Sequence, residues 1–212
     1  MTDDPTAWFE QLYVAADAGE AEVPWNRDEP NPRLVSWAEE KQIEGAGRRA
    51  LVVGSGLGMD AQYVARLGFD TTAFDIASTA IRISQERFPG SSVRYLVADL
   101  LDPPPDWRGA FDLVLESITV QALPPAFHAE ATARVTEFVA PGGTLLVLSA
   151  ARDDDEVPDG PPWPLARAEI EAFAAGTGLE TVRIEEIHDA AGDSFPHRWR
   201  AEFRRPDRGT ST

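Results

Sequence analysis

Short apolar runs alternate with amphipathic stretches from about residue 50 to the end of the chain. Ala50 to Val53 reads as a buried strand running into a glycine turn. Met59 to Leu67 places Met59, Tyr63, Val64 and Leu67 on one helical face, and Gly68 stops it. The alternation continues with a strand at Thr71 to Asp75 and a helix at Ser78 to Phe88, ended by Pro89-Gly90. Val93 to Ala98 and Phe111 to Glu116 read as further strands. Pro124 to Val139 reads as a helix opened by prolines, which suit a first turn. Pro141-Gly142-Gly143 is a tight turn into a strand over Thr144 to Ser149.

The remainder is less regular. Residues 1–47 read as irregular or helical, with a turn-forming cluster at Asp28 to Pro32 and a helix over Arg33 to Glu44. Arg152 to Pro164 is an Asp-, Pro- and Gly-rich loop, and Leu165 to Ala175 a helix. Val182 to Ile187 and Trp199 to Phe203 are two last strands with no helix between them, so they are expected to be antiparallel. The tail at 207–212 is expected to be disordered. Repeated strand–helix units predict an α/β fold: a seven-stranded, mainly parallel sheet with one antiparallel strand and helices on both faces. The expected organisation is a lid-like or helical segment at 1–47 and one ligand-binding domain at 48–206.

Composition removes several kinds of chemistry. The 212 residues contain no cysteine, so disulfides, thiolate ligands and a cysteine nucleophile are excluded. His128, His188 and His197 form no HxH or HExxH motif, and no metal site is expected. The run Asp153 to Glu156 reads as a solvated acidic loop. A net charge of −17 opposes a nucleic acid or an anionic membrane as partner. Lys41 is the single lysine, so Schiff-base chemistry would rest on it alone. No run reaches the roughly 18 apolar residues of a membrane span, and the acidic N-terminus lacks a signal-peptide pattern. A cytoplasmic location is the default expectation.

The glycine turn Gly54-Ser55-Gly56-Leu57-Gly58 is the strongest local signal. In α/β folds ligands bind at the carboxyl ends of strands, where glycines let the backbone approach them. A dinucleotide fingerprint would place a third glycine at Met59, and no P-loop Gly-Lys-Ser/Thr follows. The pattern therefore favours a nucleoside ligand that lacks phosphate. Asp75 ends the next strand, 21 residues after Gly54, where a carboxylate can accept both ribose hydroxyls; its structural alternative is a helix N-cap. Asp99 ends the third strand, with Leu100 beside it. That pair suits an adenine, the acid accepting from the exocyclic amine and the leucine packing on the ring; the alternative is a solvated loop acid.

This glycine turn, Asp75, Asp99 and Pro141-Gly142-Gly143, in this order and spacing, resemble the motifs of class I S-adenosylmethionine (SAM) dependent methyltransferases. Finer features resemble the thiopurine S-methyltransferase-like and thiol methyltransferase group. They are Pro24-Trp25-Asn26 with a downstream Pro-Asn-Pro, the stretch Phe111 to Pro125, and Gly160 to Leu165 (GPPWPL). The resemblance implies a Rossmann-like fold, SAM as cofactor and S-adenosylhomocysteine as product. It implies a cofactor set of Trp25, Val53, Gly54, Ser55, Gly56, Gly58, Asp75, Ile76, Asp99, Leu100 and Glu116. Val53 stands where many class I members carry an acid for the SAM amino group, so a backbone carbonyl of Val53 or Gly54 is the candidate there. Trp25 would lie in a lid near the sulfonium, where cation–π attraction suits the charge; ordinary packing is the equal alternative.

Glu116 and Ser117 lie where class I enzymes place substrate-facing residues, with a salt bridge or cap as the alternative. Trp25, Ser117 and Trp163 are the candidate substrate contacts, and Phe195, His197 and Trp199 could extend that wall. His128 reads as a surface or cap histidine before a general base. Methyl transfer is an in-line displacement that needs alignment, water exclusion and management of one proton. The lack of an evident base favours a thiol sulfur or heteroaromatic nitrogen as the small-molecule acceptor. The alternatives are an O- or C-methyltransferase of natural-product biosynthesis, and a SAM-binding protein without transfer activity. The oligomeric state is open.

Overall fold

A computed structural model describes residues 6–154, 160–188 and 196–207. The chain divides into two compact units, Met1–Pro103 and Pro104–Thr212. Its seven strands form one sheet in the order β3-β2-β1-β4-β5-β7-β6, the strands being numbered along the chain.

The first unit holds β1 (Arg49–Val53), β2 (Asp70–Asp75) and β3 (Arg94–Val97), all parallel. Every residue of β1 and β2 after the first is buried, as strands covered on two faces are. The helix α3 (Met59–Arg66) packs on β1 and β2, and α4 (Ser78–Arg87) on β2 and β3. Two helices precede β1. The first, α1 (Ala7–Asp17), packs on α4. The second, α2 (Pro32–Glu40), is capped by Asn31, whose Oδ1 accepts from the Arg33 amide at 3.1 Å, with Pro32 in the first turn. The Asn31 amide in turn donates to Asp60 Oδ1 at 2.7 Å, which ties this segment to α3. Residues 7–17 are thus an ordered helix, and α2 stops four residues short of the expected Glu44. It stops because the chain turns back: Ile43 donates to the Ala38 carbonyl at 2.9 Å, and Gln42 and Ala46 take φ of 50°.

The second unit holds β4 (Phe111–Ser117), α5 (His128–Glu137), β5 (Val139–Ala150), α6 (Arg167–Glu171), β6 (Glu180–His188) and β7 (His197–Arg204). Strands β4 and β5 are parallel, and β7 runs antiparallel to both β5 and β6. It is the one antiparallel strand expected from the missing helix between the last two strands. Leu145 to Leu148 on β5 are at most 1% exposed, and burial of a leucine or valine stabilises by about 1.5–3 kcal/mol each.

The second unit departs from expectation most at β5, α5 and α6. Strand β5 begins at Val139, not Thr144, because Arg205 extends the ladder: Gly142 donates to its carbonyl and its own amide donates to Gly143, both at 2.9 Å. The helix expected over Pro124 to Val139 is a 3₁₀ turn at Pro125–Phe127 followed by α5. The helix expected over Leu165 to Ala175 shrinks to α6. Leu165 is drawn into a parallel bridge with Ala151, and its carbonyl accepts from the Trp199 indole at 2.8 Å. The expected tail beyond Asp207 lies outside the described residues. No described helix is long and apolar enough to cross a membrane.

Candidate active site

The turn between β1 and α3 takes a conformation only glycine adopts readily. Gly54, Gly56 and Gly58 have φ of 57°, 50° and 85°. A Cβ on Gly58 would lie 2.5 Å from the Tyr95 hydroxyl, and one on Gly56 would lie 3.0 Å from the Tyr13 hydroxyl. The turn is fixed from below: Ser84 Oγ donates to the Gly56 carbonyl at 2.9 Å and the Ser55 amide to the Phe74 carbonyl at 2.8 Å. Ser55 Oγ is buried without a hydrogen-bond partner.

Asp75 ends β2 and is 7% exposed. Its Oδ2 accepts from the Gly56 amide at 2.9 Å and its Oδ1 from the Ala77 amide at 3.0 Å. Burial pushes this carboxyl above the ordinary aspartate value, against the bonds from Ala77, Gly56 and Ile76 that favour the charge. The acid is therefore both a cap-like acceptor and a brace for the glycine turn. Each oxygen retains a second lone pair for a hydroxyl. The Ala98 amide donates to the Asp75 carbonyl at 3.1 Å, which brings the end of β3 beside it. The next residue, Asp99, is half-buried and accepts from the Leu101 amide at 2.8 Å, while Leu100 is buried. Val53, Gly54, Ser55, Gly56, Gly58, Asp75, Ile76, Asp99 and Leu100 thus gather at the carboxyl ends of three adjacent parallel strands.

The N-terminal segment meets this cradle through residues not singled out in the sequence. Tyr13 on α1 is 1% exposed, and its hydroxyl accepts from the Trp25 indole at 2.8 Å. Burial, and then the charge of Asp75, push the Tyr13 phenol upward. Trp25 packs edge-on against Trp8, Phe9 and Tyr13. Tyr13, Val23, Ala77 and Ala80 form a buried cluster joined by Trp25 and Leu57. Glu10 caps α4: it accepts from the Thr79 amide and hydroxyl at 3.1 and 2.7 Å and from Ser78 Oγ at 3.2 Å. Burial opposes its charge, but these bonds prevail and hold its carboxyl below the ordinary value. The amphipathic pattern of residues 7–17 was the available signal; the partner of each polar residue was not.

In the second unit Glu116, one residue before the end of β4, is fully buried. Its Oε1 accepts from the Val120 amide at 2.9 Å, and Oε2 has no hydrogen-bond partner. Burial pushes this carboxyl up to about 7, against bonds from Val120 and Thr119 and the charge of His128. Ser117 is half-buried, and Ile118 has φ of 72°. A β-branched residue there is strained, as functional turns often are. Gln121 ties neighbouring pieces to this strand end: its carbonyl accepts from the Trp163 amide at 2.7 Å and its Oε1 from the Ala150 amide at 2.6 Å. Trp163 is half-buried against Gly160. Glu116, Ser117 and Trp163 therefore belong to one neighbourhood.

His128 is a buried cap, not a surface residue. Its Nδ1 faces Glu169 Oε1 at 2.8 Å and its Nε2 the Leu123 carbonyl at 2.9 Å. Glu169 also accepts from Arg152 and from the Ala166 amide. Burial opposes its charge, but His128, the Ala166 amide and Arg152 together hold its carboxyl down at about 2. Trp199 is a core residue, 5% exposed. Phe195 and part of the acidic run Asp153 to Glu156 lie outside the described residues.

The glycine turn whose side a Cβ would fill, the buried Ser55 hydroxyl and two neighbouring strand-end acids fit a nucleoside with an amino-acid tail, as SAM carries. Residues 50–143 match the family model described as "Methyltransferase domain". The chain is 30% identical over 154 residues to a ubiquinone biosynthesis O-methyltransferase of Xanthomonas oryzae pv. oryzae (strain PXO99A), with 68% of this chain covered. It spans 63% of the length of that curated relative. Among solved structures, the fold is similar to one described for conversion of a disulfide bond into a thioacetal group during echinomycin biosynthesis. That likeness has a TM-score of 0.73 and 22% identity, over 96% of this chain and 95% of the other. It is also similar to the N-methyltransferase NodS of Bradyrhizobium japonicum WM9 with S-adenosylhomocysteine, at a TM-score of 0.70 and 19% identity, over 93% and 100%. A third is the 1,6-didemethyltoxoflavin-N1-methyltransferase of Burkholderia thailandensis, at 0.68 and 16%, over 98% and 92%. By its matched domain and its sheet order, this chain carries the Rossmann-like class I methyltransferase fold.

Proposed function

We propose that this chain transfers a methyl group from SAM to a small-molecule acceptor. The observation that carries the reading is Asp75, bonded to the Gly56 amide and adjoined by Asp99, at the strand ends where α/β folds bind ligands. Asp75 would take the ribose hydroxyls, Asp99 and Leu100 the adenine, and the turn from Val53 to Gly58 the amino-acid end. When bound, SAM supplies an electrophilic methyl on a good leaving group. The residues of this chain orient the acceptor and hold its proton.

Residues 1–47 act as a cover over the cradle, with Trp25 and Tyr13 as its inner face. The acceptor faces Ser117, Trp163 and Glu116. A thiol or heteroaromatic nitrogen was the expected acceptor because no base was evident. Glu116, with a carboxyl near 7 and a spare oxygen, is a base suited to neutral pH. That observation, with the O-methyltransferase relative, favours an acidic hydroxyl such as a phenol as the acceptor. A thiol or ring nitrogen is the second reading, favoured by the likeness of Pro24-Trp25-Asn26 and Gly160 to Leu165 to thiol methyltransferases. Calorimetry with SAM, S-adenosylhomocysteine and NAD tests the cofactor: binding of NAD and of neither of the others overturns the reading. A panel of phenols, thiols and heteroaromatic amines, read by S-adenosylhomocysteine release, tests the acceptor. Binding without turnover across the panel would favour a SAM-binding protein without transfer activity.

A further inference from the structure

Outside the cradle, the paired end of β6 and β7 gathers three metal-ligating side chains. His188 and His197 are separated by eight residues in the sequence, and no local motif announces them. They are direct register partners across the antiparallel pair, with ring centroids 4.4 Å apart. Glu186 lies two residues before His188, on the same face of β6. Its Oε1 is 2.8 Å from His197 Nδ1 and 4.0 Å from His188 Nε2. One ligand atom from each of the three residues lies within 4.8 Å of the others.

We propose that Glu186, His188 and His197 form a surface site for a borderline divalent transition-metal ion such as Zn2+. Tetrahedral zinc with bonds of about 2.0–2.1 Å sets its ligand atoms about 3.3 Å apart. The distances here bracket that value, so small side-chain rotations close the triad around an ion. The ladder from Glu180 to His188 and His197 to Arg204 holds the two backbones in register, so little further ordering is needed to bind. Two imidazoles and one carboxylate select Zn2+, Ni2+ or Cu2+ over Mg2+ and Ca2+, which require oxygen ligands. The side chains are 41%, 65% and 46% exposed for Glu186, His188 and His197, so an ion reaches them from solvent. The net charge of −17 draws cations to the surface. A bound ion joins β6, the last strand of the sheet order, to β7 at the His188–His197 end of their ladder.

The test is calorimetric titration of tag-free protein with Zn2+ and, separately, Mg2+. Wild type is compared with His188→Ala, His197→Ala, the double variant and Glu186→Gln, each checked for folding by circular dichroism. One Zn2+ per chain and no Mg2+ response are expected. Each histidine variant should weaken Zn2+ binding by about ten-fold or more, and the double variant should abolish it. Zn2+ should raise the melting temperature of wild type and leave that of the double variant unchanged. No saturable Zn2+ binding, or equal affinity in wild type and the double variant, overturns the proposal.

Discussion

The Gly56 amide donates to Asp75 Oδ2 at 2.9 Å, so the acid at the end of β2 holds the glycine turn in place. Asp75→Ala strands the Gly56 and Ala77 amides, each at a cost of about 1–3 kcal/mol when buried. The variant is expected to unfold at lower urea. It should also bind S-adenosylhomocysteine more weakly by about 2–3 kcal/mol, the loss of charge-assisted bonds. Asp75→Asn, which retains one acceptor oxygen, should recover part of both. Unaltered affinity in the alanine variant would leave Asp75 as a brace alone.

Glu116 sets a pH dependence. Its folded-state value of about 7 lies above its ordinary 4.5. The folded chain therefore binds this proton more tightly than the unfolded chain. Stability is full below about pH 4.5 and declines as pH rises to about 7, by about 3 kcal/mol in all. Glu169, held at about 2, acts in the opposite sense and in a separate window: its stabilisation is lost as pH falls from 4.5 toward 2. Glu116→Gln mimics the protonated acid and should flatten the decline between 4.5 and about 7 in urea melts. The same variant should slow transfer to phenols and lose the rise of rate with pH through that window. A slope that persists in Glu116→Gln assigns it to another group.

Tyr13 and Trp25 give a readout of the N-terminal segment. Tyr13→Phe deletes the acceptor of the Trp25 indole and is expected to cost about 1 kcal/mol. Removal of the residues before Pro32 uncovers Ala77 and Ala80 and leaves α4 without Glu10. The truncated chain should therefore melt earlier, not merely lose affinity. Hydrogen exchange over residues 10–32 should slow further on adding S-adenosylhomocysteine if this segment covers the cofactor. Exchange that is slow and unresponsive makes it fixed scaffold.

Ile118 offers a test of strain beside Ser117. A residue held in a sparsely populated region costs about 1–3 kcal/mol, which glycine at φ of 72° does not incur. Ile118→Gly should change stability by no more than about 1 kcal/mol, because strain relief offsets the lost half-buried side chain. Its kcat should fall with KM little changed if the strained turn aims Ser117. A stability loss of more than about 3 kcal/mol would match removal of a packed isoleucine without strain.

Local pattern was enough for the alternation of strands and helices, the antiparallel last strands, and the strand-end positions of Asp75, Asp99 and Glu116. Each follows from periodicity and glycine or proline punctuation within about ten residues, and the physics of one turn suffices to read it. Pairings across long separations were not legible. Glu10 on Thr79, Tyr13 under Trp25 and beside Gly56, His128 between Glu169 and Leu123, and His188 opposite His197 join residues that no local rule relates. The sequence could place His128 in a helix but could not tell that both its nitrogens are buried against acceptors. The early start of β5 and the shortening of α6 came from the same source, since Arg205 and Trp199 supply bonds from distant strands. Burial, which raises the Glu116 carboxyl to about 7, exists only once the chain is packed. Desolvation depends on what surrounds a group in space and not on its neighbours in sequence.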